Sequence, residues 1–196
     1  MTRQNQFFAA TALALSALTC WQAPAFGQNN AAVPAPAGAA TLDPQNTKLQ
    51  FVCAHVGPKP DPRTGSFDKF TGKAQIDAGS KALKSISLDI DTTSLHTQFD
   101  MLTTHLKSPD FFDVRRFPTA KFDSTKIEPG SGATQITGKL TLHGVTKEIT
   151  IPAKVDVTPA GLQVQSEFTI NRLDFGMNFD PKKVEDKVSL TVTIGQ

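Results

Sequence analysis

The chain has 196 residues and a formal net charge of +2, a length suited to one domain with a short extension. Hydrophobic residues at 39% and charged residues at 19% support a packed core and exclude disorder throughout. Twenty basic side chains balance eighteen acidic ones without any Lys/Arg run, which excludes an electrostatic footprint for nucleic acid or a polybasic membrane patch.

Residues 1–27 read as a secretory signal peptide. Arg3 and the amino terminus are positive, Phe7 to Leu18 is apolar, and Ala23-Pro24-Ala25 supplies small residues for cleavage. The apolar stretch is short for a membrane span, and no later segment is apolar and long enough to make one. The mature chain is therefore expected in the periplasm or secreted, without a transmembrane segment. Residues 28–41 (QNNAAVPAPAGAAT) read as an Ala/Pro-rich linker, and the folded domain is expected over 42–196. Cleavage removes Cys20 and leaves Cys53 alone, so the mature chain has no internal disulfide. Cys53 lies in the apolar run KLQFVCAHV and reads as buried and inert.

That run is the first expected strand. Gly65 and the prolines at 58, 60 and 62 read as the loop that follows it. In the second strand Phe70, Gly72, Ala74 and Ile76 alternate with Thr71, Lys73, Gln75 and Asp77. The third sets Ile86, Leu88 and Ile90 against Ser85, Ser87, Asp89 and Asp91, the two-residue period of a half-buried strand. Residues 94–117 break this period. Phe99, Leu102 and Leu106 recur at helical spacing, Ser108-Pro109 ends the pattern, and Phe111 and Phe112 follow in an irregular segment. Alternation resumes in a fourth strand (Ala120, Phe122, Ile127), a fifth (Ile136, Gly138, Leu140, Leu142) and a long sixth from Val145 to Val157. The seventh carries Leu162, Val164, Ser166, Phe168 and Ile170, and the eighth Val188, Leu190, Val192 and Ile194.

These spacings predict a mainly β protein: an eight-stranded antiparallel β-barrel with one short helix between strands 3 and 4. A two-sheet sandwich shares the alternation and is the rival arrangement. One apolar interior is expected from Phe51, Ile86, Leu88, Ile90, Phe122, Leu140, Leu142, Ile151, Phe168, Ile170, Leu190 and Val192. Phe99, Leu102, Leu106, Phe111 and Phe112 are expected over one end, because a lone helix must bury its apolar face against the barrel. Fourteen Phe with one Trp and no Tyr fit a core or the surroundings of an apolar ligand. Inward Gly72, Ala74, Gly138, Ala153 and Ser166 are small enough to leave space. A filled core and a lipid-binding cavity fit this pattern equally. Arg172 is a candidate for contact with a polar or phosphorylated head, with an ion pair to Asp174 or another surface carboxylate as the competing role.

Little else suggests chemistry. His55, His96, His105 and His143 show no metal-ligand spacing, so no metal is expected. Asp174-Phe175-Gly176 stands without the other parts of a kinase signature. No Walker motif or paired acid and base occurs, no catalytic residue is assigned, and no cofactor is required.

Several segments in order resemble one family. They are Gly65-Ser66-Phe67-Asp68-Lys69-Phe70-Thr71-Gly72; the run from His105 to Asp113 (HLKSPDFFD) with Phe117-Pro118 and Phe122-Asp123-Ser124-Thr125; the run from Gly138 to Lys147 (GKLTLHGVTK); and Ile170-Asn171-Arg172-Leu173-Asp174-Phe175-Gly176. Together, over about residues 42–195, they resemble the YceI-like family of polyisoprenoid-binding proteins. The resemblance implies a lipocalin-like barrel, an elongated apolar cavity holding an isoprenoid lipid of quinone or polyprenyl type, and often a periplasmic location. It implies binding, transport or storage rather than catalysis. A lipid-linked redox accessory or small enzyme, and a filled-barrel interaction module, are the alternatives. The Pro-rich loop from Gly57 to Arg63 and the short segment from Met177 to Lys183 depart from the family pattern. The oligomeric state is left open, a dimer included.

Overall fold

The computed structural model describes residues 38–57, 61–159 and 161–195; the expected signal peptide and most of the expected linker lie outside them. Eleven strands run in chain order: β1 (Ala39–Leu42), β2 (Thr47–Ala54), β3 (Pro62–Phe67), β4 (Phe70–Ile76), β5 (Leu83–Asp91), β6 (Leu95–Thr97), β7 (Thr119–Glu128), β8 (Thr134–Leu142), β9 (Val145–Thr158), β10 (Gly161–Asn171) and β11 (Lys187–Ile194). Among the described residues the single α-helix, α1 (Asp100–Lys107), lies between β6 and β7. Its first turn carries Asp100 and its last turn Lys107, charges that complement the helix dipole.

The eight expected strands are β2, β4, β5 and β7 to β11. The count of eight is corrected to eleven by β1, β3 and β6, while the helix lies between the expected third and fourth strands, β5 and β7, after the short β6. Each added strand carries a weak signal. β1 lies in the Ala-rich segment read as linker, yet Ala40 and Leu42 are 2% and 0% exposed and pair against Ala74 and Gly72 of β4. The linker reading therefore ends before Ala39. β3 contains Pro62 and Gly65 and has no apolar alternation, and β6 has three residues.

All strands join one antiparallel sheet in the order β1-β4-β5-β7-β8-β9-β10-β11-β2-β3-β6. Residues from both ends of this order share one apolar cluster, Ala40 and Leu42 from β1 with Leu49 from β2 and Phe67 from β3. The sheet must curl to bring them together. The result is a lipocalin-like half-barrel, corrected from the closed barrel of the sequence reading. Among the described residues no pairing joins edge strands β1 and β6.

Local chemistry fixes the corners. β8 and β9 meet at His143-Gly144, whose φ values are +51° and +75°; a two-residue hairpin with both central residues left-handed matches the strand twist. His143 Nδ1 lies 3.0 Å from the Phe175 carbonyl, which ties this hairpin to the end of β10. Asp91 caps the 3-10 turn Thr92–Ser94 by accepting from the Thr93 amide at 2.9 Å. The Thr93 hydroxyl donates to the same carboxylate at 2.5 Å. These bonds hold the Asp91 carboxyl below the usual carboxylate range.

Candidate lipid chamber

The inward faces of the strands do not close completely over one another. They leave two adjoining apolar chambers of about 170 and 90 Å³. The larger lies beside the helix. Leu102 and Leu106 of α1 line it, with Phe111 and Phe112 from the following turn and Ala120, Leu142, Ile170 and Val188 from the strands. The smaller is lined mainly by strand residues: Leu49, Ile86, Leu88, Phe122, Ile136, Ile149, Ile151, Val164, Phe168 and Val192. Phe51, Phe67, Ile90, Leu140 and Leu190 line both. The twelve residues expected to line one interior each line one or both of these adjoining chambers.

The structure also corrects where the space arises. Gly72 and Gly138 do not border it. A Cβ at Gly72 would lie 2.4 Å from the Ser87 carbonyl oxygen, and one at Gly138 would lie 2.6 Å from Phe122 Cζ. Both glycines permit close packing of neighbouring strands. Of the five small inward residues, Ser166 alone lines a chamber, and its hydroxyl donates to the Pro152 carbonyl at 2.6 Å. The larger chamber is instead enclosed between α1 with the 111–112 turn and the apolar strand residues facing them.

Phe99 is corrected too. It precedes α1 as its N-cap, is 44% exposed and lines neither chamber. Its ring meets the Arg63 guanidinium at 4.7 Å, a cation–π contact. Met101, on the outer face of the helix, is 87% exposed. Helical periodicity alone could not tell the covering face of so short a helix from its flank.

Polar groups gather at the larger chamber. Arg172 is 2% exposed, so it is part of the wall rather than a surface residue. Its Nε donates to the Glu185 carbonyl at 3.0 Å, Nη1 to the Met177 carbonyl at 2.6 Å, and Nη2 to the Val184 carbonyl at 3.0 Å. Nη2 also meets Asp186 Oδ1 at 3.3 Å. The carboxylate partner is thus another surface carboxylate, Asp186, in place of Asp174. A buried guanidinium satisfied in this way cross-links the 177–186 segment to the end of β10.

Cys53 is half-buried rather than buried and lines the same chamber. Burial is the main cause that pushes its thiol up, although Arg172 opposes the shift. His105, also in the wall, pairs through Nε2 with Asp110 at 3.0 Å. Its ring stands edge-on to Phe111 and Phe179 at centroid distances of 5.0 and 4.9 Å. Arg63 completes the set and pairs with Asp61.

Sequence reasoning missed Arg63, Phe67, Val184 and Phe179 as lining residues. Phe67 and Arg63 belong to β3, which read as loop. Phe179 and Val184 lie in the irregular 177–186 segment, where no period marks an inward face.

A second polar constellation lies on the other side of β3. Ser66 Oγ is 3.1 Å from His96 Nε2, and His96 Nδ1 is 2.9 Å from Asp68. Ser66 and His96 are register partners across β3 and β6. The Asp68 and His96 side chains are 63% and 50% exposed, and none of the three residues lines either chamber. We read the chain as a fastening of the short edge strand β6. Among the described residues no group of three or more His, Cys, Asp or Glu side chains is arranged to hold a metal ion.

Comparison with known proteins agrees with this architecture. A family model described as "YceI-like domain" matches residues 41–195. A UPF0312 protein of Shewanella denitrificans is 33% identical over 156 residues, covering 75% of this chain and 81% of that protein. Protein YceI of Escherichia coli is 32% identical over 136 residues, covering 66% and 71% respectively. The crystal structure of Burkholderia cenocepacia BcnA superposes with a TM-score of 0.68 at 27% identity, covering 76% of this chain and 94% of that one. A polyisoprenoid binding domain from Saccharophagus degradans superposes with a TM-score of 0.62, covering 81% and 97%. At 15% identity that likeness is one of fold.

Proposed function

The chain belongs to the YceI-like family, and on that premise we propose that it binds an isoprenoid lipid, its chain within the two chambers. The observation that carries this reading is the hollow, almost wholly apolar interior beneath α1 and the 111–112 turn. At about 25 cal/mol per Å² of apolar area removed from water, a hydrocarbon chain gains affinity there without specific polar contacts. The lipid's head belongs beside Arg63, His105 and Thr97, three of the polar members of the helix-side wall. The polyisoprenoid-binding description of the Saccharophagus degradans domain agrees with this choice of ligand. The function is carriage or storage rather than turnover. Residues 1–27 would export the chain to the periplasm. N-terminal sequencing of exported protein should find a start near Phe26 or Gln28.

Filling a chamber tests the reading. Val164 is 2% exposed and lines the strand chamber. Val164→Phe should lower the affinity for farnesol, measured by calorimetry, by about tenfold or more, while the fold persists. If the interior is packed rather than hollow, the same change will overpack it and cost about 1–3 kcal/mol of stability. Loss of stability with no farnesol binding by the parent protein would refute the reading.

A further inference from the structure

The two chambers adjoin at Phe51, Phe67, Ile90, Leu140 and Leu190. Phe51 and Phe67 line both chambers, and Phe112 lines the helix-side one. The three rings pack mutually. Centroids lie 5.8 Å apart for Phe51 and Phe67, 6.0 Å for Phe51 and Phe112, and 5.9 Å for Phe67 and Phe112. They come from three different places in the chain: β2, the end of β3, and the turn after α1.

Their freedom to move differs. Phe51 is 6% exposed, and its ring lies over the backbone of its register partner Gly65, where a Cβ would be 2.2 Å from Phe51 Cζ. That ring is confined. Phe67 ends β3, next to the short edge strand β6, and Phe112 sits in an irregular turn; both are half-buried. Two rings on short or irregular segments thus lean on a third fixed against the sheet.

We propose that Phe67 and Phe112, closing on Phe51, form a partition that sets how long a hydrocarbon chain the protein accepts. This rests on the reading of the interior as a lipid chamber. A short chain occupies one chamber and leaves the rings in place. A longer chain must displace them to enter the second chamber, and its affinity is lowered by the free energy of that displacement. The partition therefore acts on long chains and is silent for short ones.

The test compares geraniol, a ten-carbon prenol, with geranylgeraniol, a twenty-carbon one, by calorimetry on the parent protein and on Phe67→Leu and Phe112→Leu. Leucine keeps apolar bulk and removes the ring. Circular dichroism confirms that each variant is folded, and the two substitutions test the same partition from separate elements. The expected result is a gain of about tenfold for geranylgeraniol relative to geraniol in at least one folded variant. An unchanged ratio of the two affinities in both variants overturns the partition and leaves the lipid reading intact. Failure of the parent protein to bind either prenol overturns the lipid reading itself.

Discussion

At the scale of single residues, the burial of Arg172 matters most. Its guanidinium is committed to three backbone carbonyls and Asp186, so its role is to hold the 177–186 segment against the chamber wall. Arg172→Met should leave the Met177 and Val184 carbonyls without their donor and cost about 1–3 kcal/mol for each one left buried and unpaired. Chemical denaturation reads that loss directly; an unchanged midpoint would rule out the structural role. Cys53 bears on pH. Burial raises its thiol, so the folded state holds this proton more tightly than the unfolded state. The resulting stabilisation is complete below the ordinary thiol range and is lost as pH rises above that range towards the folded value. The same shift predicts slow native labelling by a thiol reagent at neutral pH, with faster labelling on denaturation. Equal rates in the two states would contradict it.

Elements differ in how far they were legible in the chain. β5, β8, β10 and β11 alternate apolar and polar side chains over seven or more residues, and each declares its inward face. β3 does not. Gly65 is small because the Phe51 ring occupies the place of its side chain, a contact with β2 that local sequence does not express. Arg63 and Phe67 were lost with that strand, and with them one wall of the site. β6 is too short for any period to show. It depends on the 3-10 turn before it, where the Asp91 carboxylate accepts from both the amide and the hydroxyl of Thr93. Asp91→Ala removes this cap and should cost about 0.5–2 kcal/mol. Hydrogen exchange should show the loss concentrated at β6 and the end of β3; a uniform loss across the sheet would separate the cap from the edge. Because the Asp91 carboxyl is held low, its contribution is present above the ordinary carboxylate range. It disappears as pH falls through the folded value.

For the whole molecule, one long sheet curls about a core and leaves hollow space bounded in part by α1 and its following turn. Alternation alone was neutral between a packed interior and a cavity. It records which side faces in, while the gap depends on how the inward side chains pack across the interior. The glycines that looked like sources of space are closely packed; the space lies among large apolar side chains. The central claim, that this space holds an isoprenoid lipid, is tested most directly by native mass spectrometry of protein purified gently from a membrane-containing lysate. The account predicts a bound species with the mass of an isoprenoid lipid, released on denaturation and restored when that lipid is added back. Repeated recovery of protein without such a species, together with no uptake of added farnesol, would contradict it.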